Sequence, residues 1–346
     1  MITNKIEEFD HHNGRLIKKF TLINKRGSSI SVLDFGATWY EYRLARHDQT
    51  TQNVLLNEPD IAHYLNNPFY LGATIGRVTG RIKNGRFTLG GKQFQLQQNE
   101  GATTLHGGPH GFAYLQWEGT ILSTDEGDNY LQFSRQVDQS LDGFPGTMTV
   151  TVTYSLSEDD TVDITYQAIC DTDTLFSPTC HAYFNLNKDN QDIRNHDIKS
   201  NAQFVEALDE EHVPNGILAP IDNDMYDYRN FKNVGQAIKS IIDSNHGAGI
   251  DDTFLTPAGA DVTIRDQESN LTLQTTADRN GVTIFTANGF TPTMQTNKGA
   301  GKPFLGIAVE PHILSNAINL EGFGNMILKA GVNQTYHARY HVSEGV

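Results

Sequence analysis

Between residues 147 and 170 the chain alternates apolar and polar positions with a period of two. Met148, Val150, Val152, Tyr154 and Leu156 are separated by threonines and a serine. After the polar turn Ser157-Glu158-Asp159-Asp160, Val162, Ile164, Tyr166 and Ala168 resume the alternation. Successive side chains leave a strand on opposite faces, so this pattern predicts an antiparallel hairpin with one buried face. Similar signals recur over residues 15–23, 28–35, 261–275, 281–287, 303–310 and 335–342. Helical periodicity is confined to 59–66 and 233–243. Asn84-Gly85, Asp142-Gly143 and Asn280-Gly281 suit tight turns, because glycine adopts positive φ without strain. No Pro- or Ser-rich linker, low-complexity segment or repeat interrupts the pattern. The fold expected is all-β, one large antiparallel β-sandwich spanning residues 1–346 as a single domain.

Composition narrows the function. The 346 residues carry 26 Lys plus Arg against 41 Asp plus Glu, a formal charge of −15. That balance disfavours nucleic acid and anionic membrane surfaces as partners and leaves neutral small molecules open. No run approaches the roughly 18 apolar residues that a membrane span needs. The first residues, Met1 to Glu8, contain no apolar stretch of the kind a secretory leader carries. With only Cys170 and Cys180, a disulfide framework is not expected and a cytoplasmic location is. The oligomeric state is not legible.

Five segments carry candidate chemistry. In Phe304-Leu305-Gly306-Ile307-Ala308-Val309-Glu310, Glu310 shares a strand face with Gly306 and Ala308. It is either a general base facing a cleft or a strand-end carboxylate paired with a surface cation. In His181-Ala182-Tyr183-Phe184-Asn185-Leu186 a polar row of His181, Tyr183 and Asn185 lies opposite an apolar row. His181 is thus a candidate catalyst or a satisfied structural histidine. In Leu105-His106-Gly107-Gly108-Pro109-His110 the glycines relieve crowding around His106. The His106/His110 spacing would suit a metal on a helix, but Gly-Gly-Pro prevents one, and no metal site is expected. Arg77 and Arg81 in Gly76-Arg77-Val78-Thr79-Gly80-Arg81 offer donor forks to hydroxyl or carboxylate oxygens or form buried ion pairs. Of Asp251-Asp252, one suits a turn cap and the other a ligand hydroxyl. Phosphate loops, dinucleotide fingerprints and nucleophile elbows are all missing from the sequence.

Taken in chain order, Gly80-Arg81-Ile82, Leu105-His106-Gly107-Gly108, His181 to Leu186 and the strand ending at Glu310 resemble the galactose mutarotase (aldose 1-epimerase) family. The resemblance extends over nearly the whole chain. It implies a large supersandwich with an open sugar cleft, working without metal or cofactor on free hexoses such as galactose or glucose. It implies that Glu310 is the base on the anomeric hydroxyl, His181 the acid at the ring oxygen and His106 the second site histidine. Arg81 and Asp251 match residues that hold the sugar, and Phe285 an aromatic beside it. The chain departs from the family pattern at Gly80, often Asn, and at Asp252, often His. It also departs at His312, often Gln, and at Ser315-Asn316, often Pro-Asp. Two alternatives on the same residues are a hexose-6-phosphate 1-epimerase, with Arg77 for the phosphate, and a non-catalytic carbohydrate-binding or sensing protein. For the acid, a nearby Glu310 carboxylate is expected to raise the His181 pKa.

Overall fold

The computed structural model describes residues 3–124, 129–189, 191–222 and 225–345. Met1 and Ile2, at the start of the stretch read for a leader, and Val346, the end of the predicted domain, lie outside them. Three antiparallel sheets dominate. The 147–170 alternation becomes strands Met148–Leu156 and Thr161–Cys170, which pair from Met148↔Cys170 to Leu156↔Val162. They sit inside a nine-stranded sheet that also takes in Gln334–Glu344, Leu271–Ala277 and Ala260–Asp266. The stretch expected as one signal over 261–275 is therefore two strands, with a turn at Gln267–Asn270 between them. A five-stranded sheet holds Arg15–Ile23 and Ser29–Leu33 among its members. Helices form at Ile61–Asn66 and Val234–Asp243, both where expected, and a four-residue one at Gln139–Asp142. The first of these helices is capped by Asp60, whose side chain accepts the His63 N–H at 2.9 Å.

A six-stranded sheet builds the site, and its strands are numbered along the chain within it. They are β1 (Tyr183–Phe184), β2 (Phe204–Leu208), β3 (Pro214–Pro220), β4 (Asp251–Leu255), β5 (Gly281–Phe285) and β6 (Ile307–His312). Their spatial order is β1-β6-β5-β4-β2-β3. One face, carrying Val282, Ile284, Ile307, Val309 and Phe254, is fully buried in the main core. Trp39 ties that core across the sheets. Its ring meets Tyr154 and Tyr340 of the nine-stranded sheet at 6.3 and 5.2 Å and Phe184 of β1 at 5.9 Å. Burying such rings stabilises by roughly 25 cal/mol per Å² of apolar surface. With one face anchored in this way, period-2 alternation leaves the other face for chemistry.

β6 runs through Pro311 to His312, so Glu310 stands inside a strand and not at its end. Gly306 and Ala308 do not open space for a ligand. A Cβ at Gly306 would lie 2.6 Å from Leu56 Cδ1, and Ala308 is buried with Tyr183 and Phe290.

Candidate active site

Register sets out the cleft floor as two cross-strand rows. Tyr183 pairs with Ala308, Ala308 with Phe285 and Phe285 with Asp251. In the next row Glu310 pairs with Thr283 and Thr283 with Thr253. Val205 pairs with Phe254, so Glu206 faces Thr253 and completes that row. All residues of these rows except the buried Ala308 line a cleft of about 610 Å³ together with Arg81, Glu100, His106 and His181. That volume lies within the usual range for small-molecule sites.

His181 is fixed by its backbone, which donates to Ala73 O and accepts from Gly72 N, both at 2.9 Å. Its ring stacks on Tyr183 at 5.0 Å and meets His106 edge-on at 5.3 Å. His181 Nε2 lies 3.4 Å from Glu310 Oε1, and the two side chains are 6 % and 1 % exposed. His106 adopts φ +52°, and its Nδ1 accepts the Gly80 N–H at 3.2 Å, so its neutral ring carries hydrogen on Nε2. Gly107 and Gly108 follow at φ +83° and +85°, a conformation that side chains oppose. A Cβ at Gly107 would stand 1.9 Å from Gly76 O, so the glycine serves a backbone contact and not the imidazole.

Burial decides the charges. It pushes the His181 pKa down to about 3 and the Glu310 carboxyl well above its ordinary range. The expected rise of His181 through a neighbouring carboxylate is therefore corrected. Desolvation of a buried imidazole outweighs the attraction, and burial favours a neutral imidazole beside a protonated carboxyl. His106 is also held low by burial, aided by the neighbouring His181.

Arg81 donates to both carboxylate oxygens of Glu100, at 2.6 and 2.8 Å, which aims the guanidinium along the cleft wall. Arg77 has a different role. It is fully buried, pairs with Asp142 at 2.6 Å and donates to Thr174 and to the carbonyls of Val137, Pro145 and Gly146. It cannot reach a phosphate. Asp251 faces the cleft, whereas Asp252 accepts the Asp251 N–H at 3.1 Å, and both lie on β4 with no turn between them. Asn185 leaves the polar row and donates to the Gln191 and Leu305 carbonyls. Phe285 stacks on Phe69 at 6.2 Å, an apolar wall beside the floor.

Several site residues went unread in the sequence. Thr253 and Thr283 were accessible to the same alternation that places Asp251 and Phe285. Tyr70, which meets both site histidines at 5.1 and 6.0 Å, and Glu100 come from loops without periodic signal.

A buried carboxyl–imidazole pair stands beside a polar floor and an aromatic wall in a β-sandwich cleft. Residues 18–341 match the family model of aldose 1-epimerase, and the chain belongs to that family, an isomerase family. It is 33% identical over 324 residues to a maltose epimerase of Levilactobacillus brevis, with 92% of each chain covered. It is 32% identical over 332 residues to an aldose 1-epimerase of Streptococcus thermophilus, again covering 92% of each. The solved GalM/aldose epimerase homologue from C. elegans superposes with a TM-score of 0.84 at 26% identity, covering 94% of this chain and 98% of that one. Among the described residues no helix is long and apolar enough to cross a membrane.

Proposed function

We propose that the chain, acting as one domain, opens and recloses the hemiacetal of a free aldose, with Glu310 and His181 exchanging the protons. The 3.4 Å contact between them carries this reading. Anomerisation must remove a proton from O1 and supply one to the ring oxygen, and both oxygens sit on C1. Two groups side by side on one wall can address them together.

The pair holds one proton in either of two arrangements. Transfer from Glu310 to His181 makes a carboxylate and an imidazolium. The carboxylate takes the O1 proton while the imidazolium protonates the ring oxygen, and the C1–O5 bond breaks to leave an open aldehyde. Rotation about C1–C2 presents the other carbonyl face, and the reverse transfers close the ring. Each general acid or base typically supplies about 10²–10⁴-fold. His106, with hydrogen on Nε2, donates to the sugar beside the reacting bond. Arg81 and Asp251 hold hydroxyls, and Phe285 supports the ring's apolar edge.

Donor atoms of His106, His181 and Glu310 lie within 4.8 Å of one another, an arrangement that would also admit a divalent cation. Proton transfer alone accounts for the reaction, so the proposal is metal- and cofactor-free, and EDTA is expected to leave the rate unchanged. The phosphate-sugar alternative loses its cation, because Arg77 is fully buried and paired with Asp142. The substrate class proposed is free hexoses such as galactose or glucose, in the cytoplasm. Glu310→Gln keeps shape and removes the base. The expected outcome is at least a 100-fold loss of polarimetric mutarotation of fresh α-glucose or α-galactose, with an unchanged melting temperature. A near-normal rate sinks the assignment, and binding without any turnover in the parent protein would favour the sugar-sensing alternative.

A further inference from the structure

Glu206 is the buried acid of the cleft that the acid/base mechanism leaves unused. Its side chain belongs to the row Glu310–Thr283–Thr253–Glu206, so two carboxyl groups bracket two threonines. Three inter-strand gaps of about 4.8 Å set the end residues ~14 Å apart along the floor. Glu206 is 4 % exposed, and its Oε1 accepts the Ser315 N–H at 2.8 Å.

The hydrogen bonds beyond it run in one direction. His312 is fully buried, and its Nδ1 donates to the Ile313 carbonyl at 2.5 Å. Burial keeps this imidazole neutral, with its pKa lowered to about 4, so its Nε2 accepts. Thr283 Oγ1 donates to that nitrogen at 2.7 Å and accepts from Thr253 Oγ1 at 2.7 Å. Glu206, the other neighbour of Thr253 in the row, has a carboxyl that burial pushes up to about 8. Glu206 is thereby held as an uncharged acid with lone pairs left for a hydroxyl.

The surroundings are fitted to this arrangement. Proline at position 315 would lack the N–H that Glu206 accepts. A Cβ at Gly80 would lie 2.1 Å from Ser315 Oγ, so a side chain there would displace this serine hydroxyl. The hairpin of β2 and β3 closes the rim at the same end with Leu208, His212 and Pro214. Gly80 and Ser315, two of the positions that depart from the family pattern, thus meet on the cleft lining, while His312, a third, bonds Thr283 beside Glu310.

We infer that Glu206 is a specificity-determining residue that accepts hydroxyls of the sugar substrate at its end remote from C1. The inference rests on the epimerase reading above, because Glu310 fixes where C1 lies. The hydroxyls belong either to the far side of the first ring or to a second ring linked to it.

The test measures KM and kcat for glucose, galactose and maltose in the parent, Glu206→Leu and Glu206→Gln. For Glu206→Leu, KM is expected to rise about tenfold for at least one sugar while kcat changes less than twofold. A rise confined to maltose assigns the contact to a second ring. Unequal rises for glucose and galactose, which differ at C4, assign it to the first ring. Glu206→Gln keeps the hydrogen-bond pattern of a neutral acid, and its KM is expected to rise less. If the leucine variant does not fold, Thr253→Val, which removes the hydroxyl beside Glu206 in the row, is expected to raise KM for the same sugars. Unchanged KM values, or an equal loss of kcat on all three sugars, overturn the inference. A parent inactive on every sugar would instead overturn the epimerase reading.

Discussion

At residue scale the protonation of the Glu310–His181 pair sets the pH dependence. With His181 depressed to about 3, the imidazole gains no second proton until the medium is strongly acidic. With Glu310 raised well above 4.5 by burial, the carboxyl holds its proton to higher pH than an ordinary glutamate. The free enzyme is therefore expected to show kcat/KM within about twofold between pH 7 and pH 5, with no acid limb at the ordinary histidine pKa of about 6.5. Polarimetric rates in buffers of matched ionic strength measure this. An acid limb centred near 6.5 would mean that His181 is solvated, which contradicts its burial. His181→Asn is expected to lose at least 100-fold in kcat while retaining the parent melting temperature. Unfolding of that variant would instead mark His181 as a structural residue.

At element scale the legible and illegible parts of the sequence separate by physical cause. Strands with one face in the core announce themselves by alternation, which is why Met148–Leu156 and Thr161–Cys170 agree with expectation nearly residue for residue. Glu310 was legible as an acid on a strand, but its surroundings were not, because Leu56 and Tyr183 fill the space over Gly306 from distant segments. Arg77 and Arg81 read as equivalent in sequence. Only tertiary packing sends one to Asp142 in the interior and the other to Glu100 on the cleft wall. The first pair fastens the segment that carries Gly80 and Arg81 to the Gln139–Asp142 helix. Removing one member of a buried pair typically costs about 3–5 kcal/mol, since the remaining charge is stranded. Asp142→Asn is expected to show such a loss in urea unfolding, with kcat per folded molecule within about twofold of the parent. A cost below about 1 kcal/mol would show that Arg77 is satisfied by its four other acceptors alone.

At the scale of the whole molecule, buried titratable groups of opposite sense govern stability against pH. His106, His181, His196 and His312 are all depressed by burial. Each binds fewer protons folded than unfolded, so each contributes stability above pH 6.5 that drains away as pH falls toward its folded value. Glu58, raised to about 7, and Glu206, raised to about 8, act in the reverse direction, as does Glu310. Each binds more protons folded, so its contribution is full below pH 4.5 and is lost as pH climbs to the folded value. Between pH 4.5 and 6.5 the two sets oppose one another. Above 6.5 the histidines are neutral in both states, and only the acids still change, at about 1.4 kcal/mol per group per pH unit. The melting temperature is therefore expected to plateau between about pH 4.5 and 6.5 and to fall from pH 6.5 to pH 8. Glu58→Gln cannot ionise and sits away from the cleft floor, so it should shrink that fall between pH 6.5 and 7. Scanning calorimetry across the range checks both statements. A melting temperature that is highest at pH 8 would show that Glu58 and Glu206 are ionised and paired in the folded chain, contrary to the burial that surrounds them.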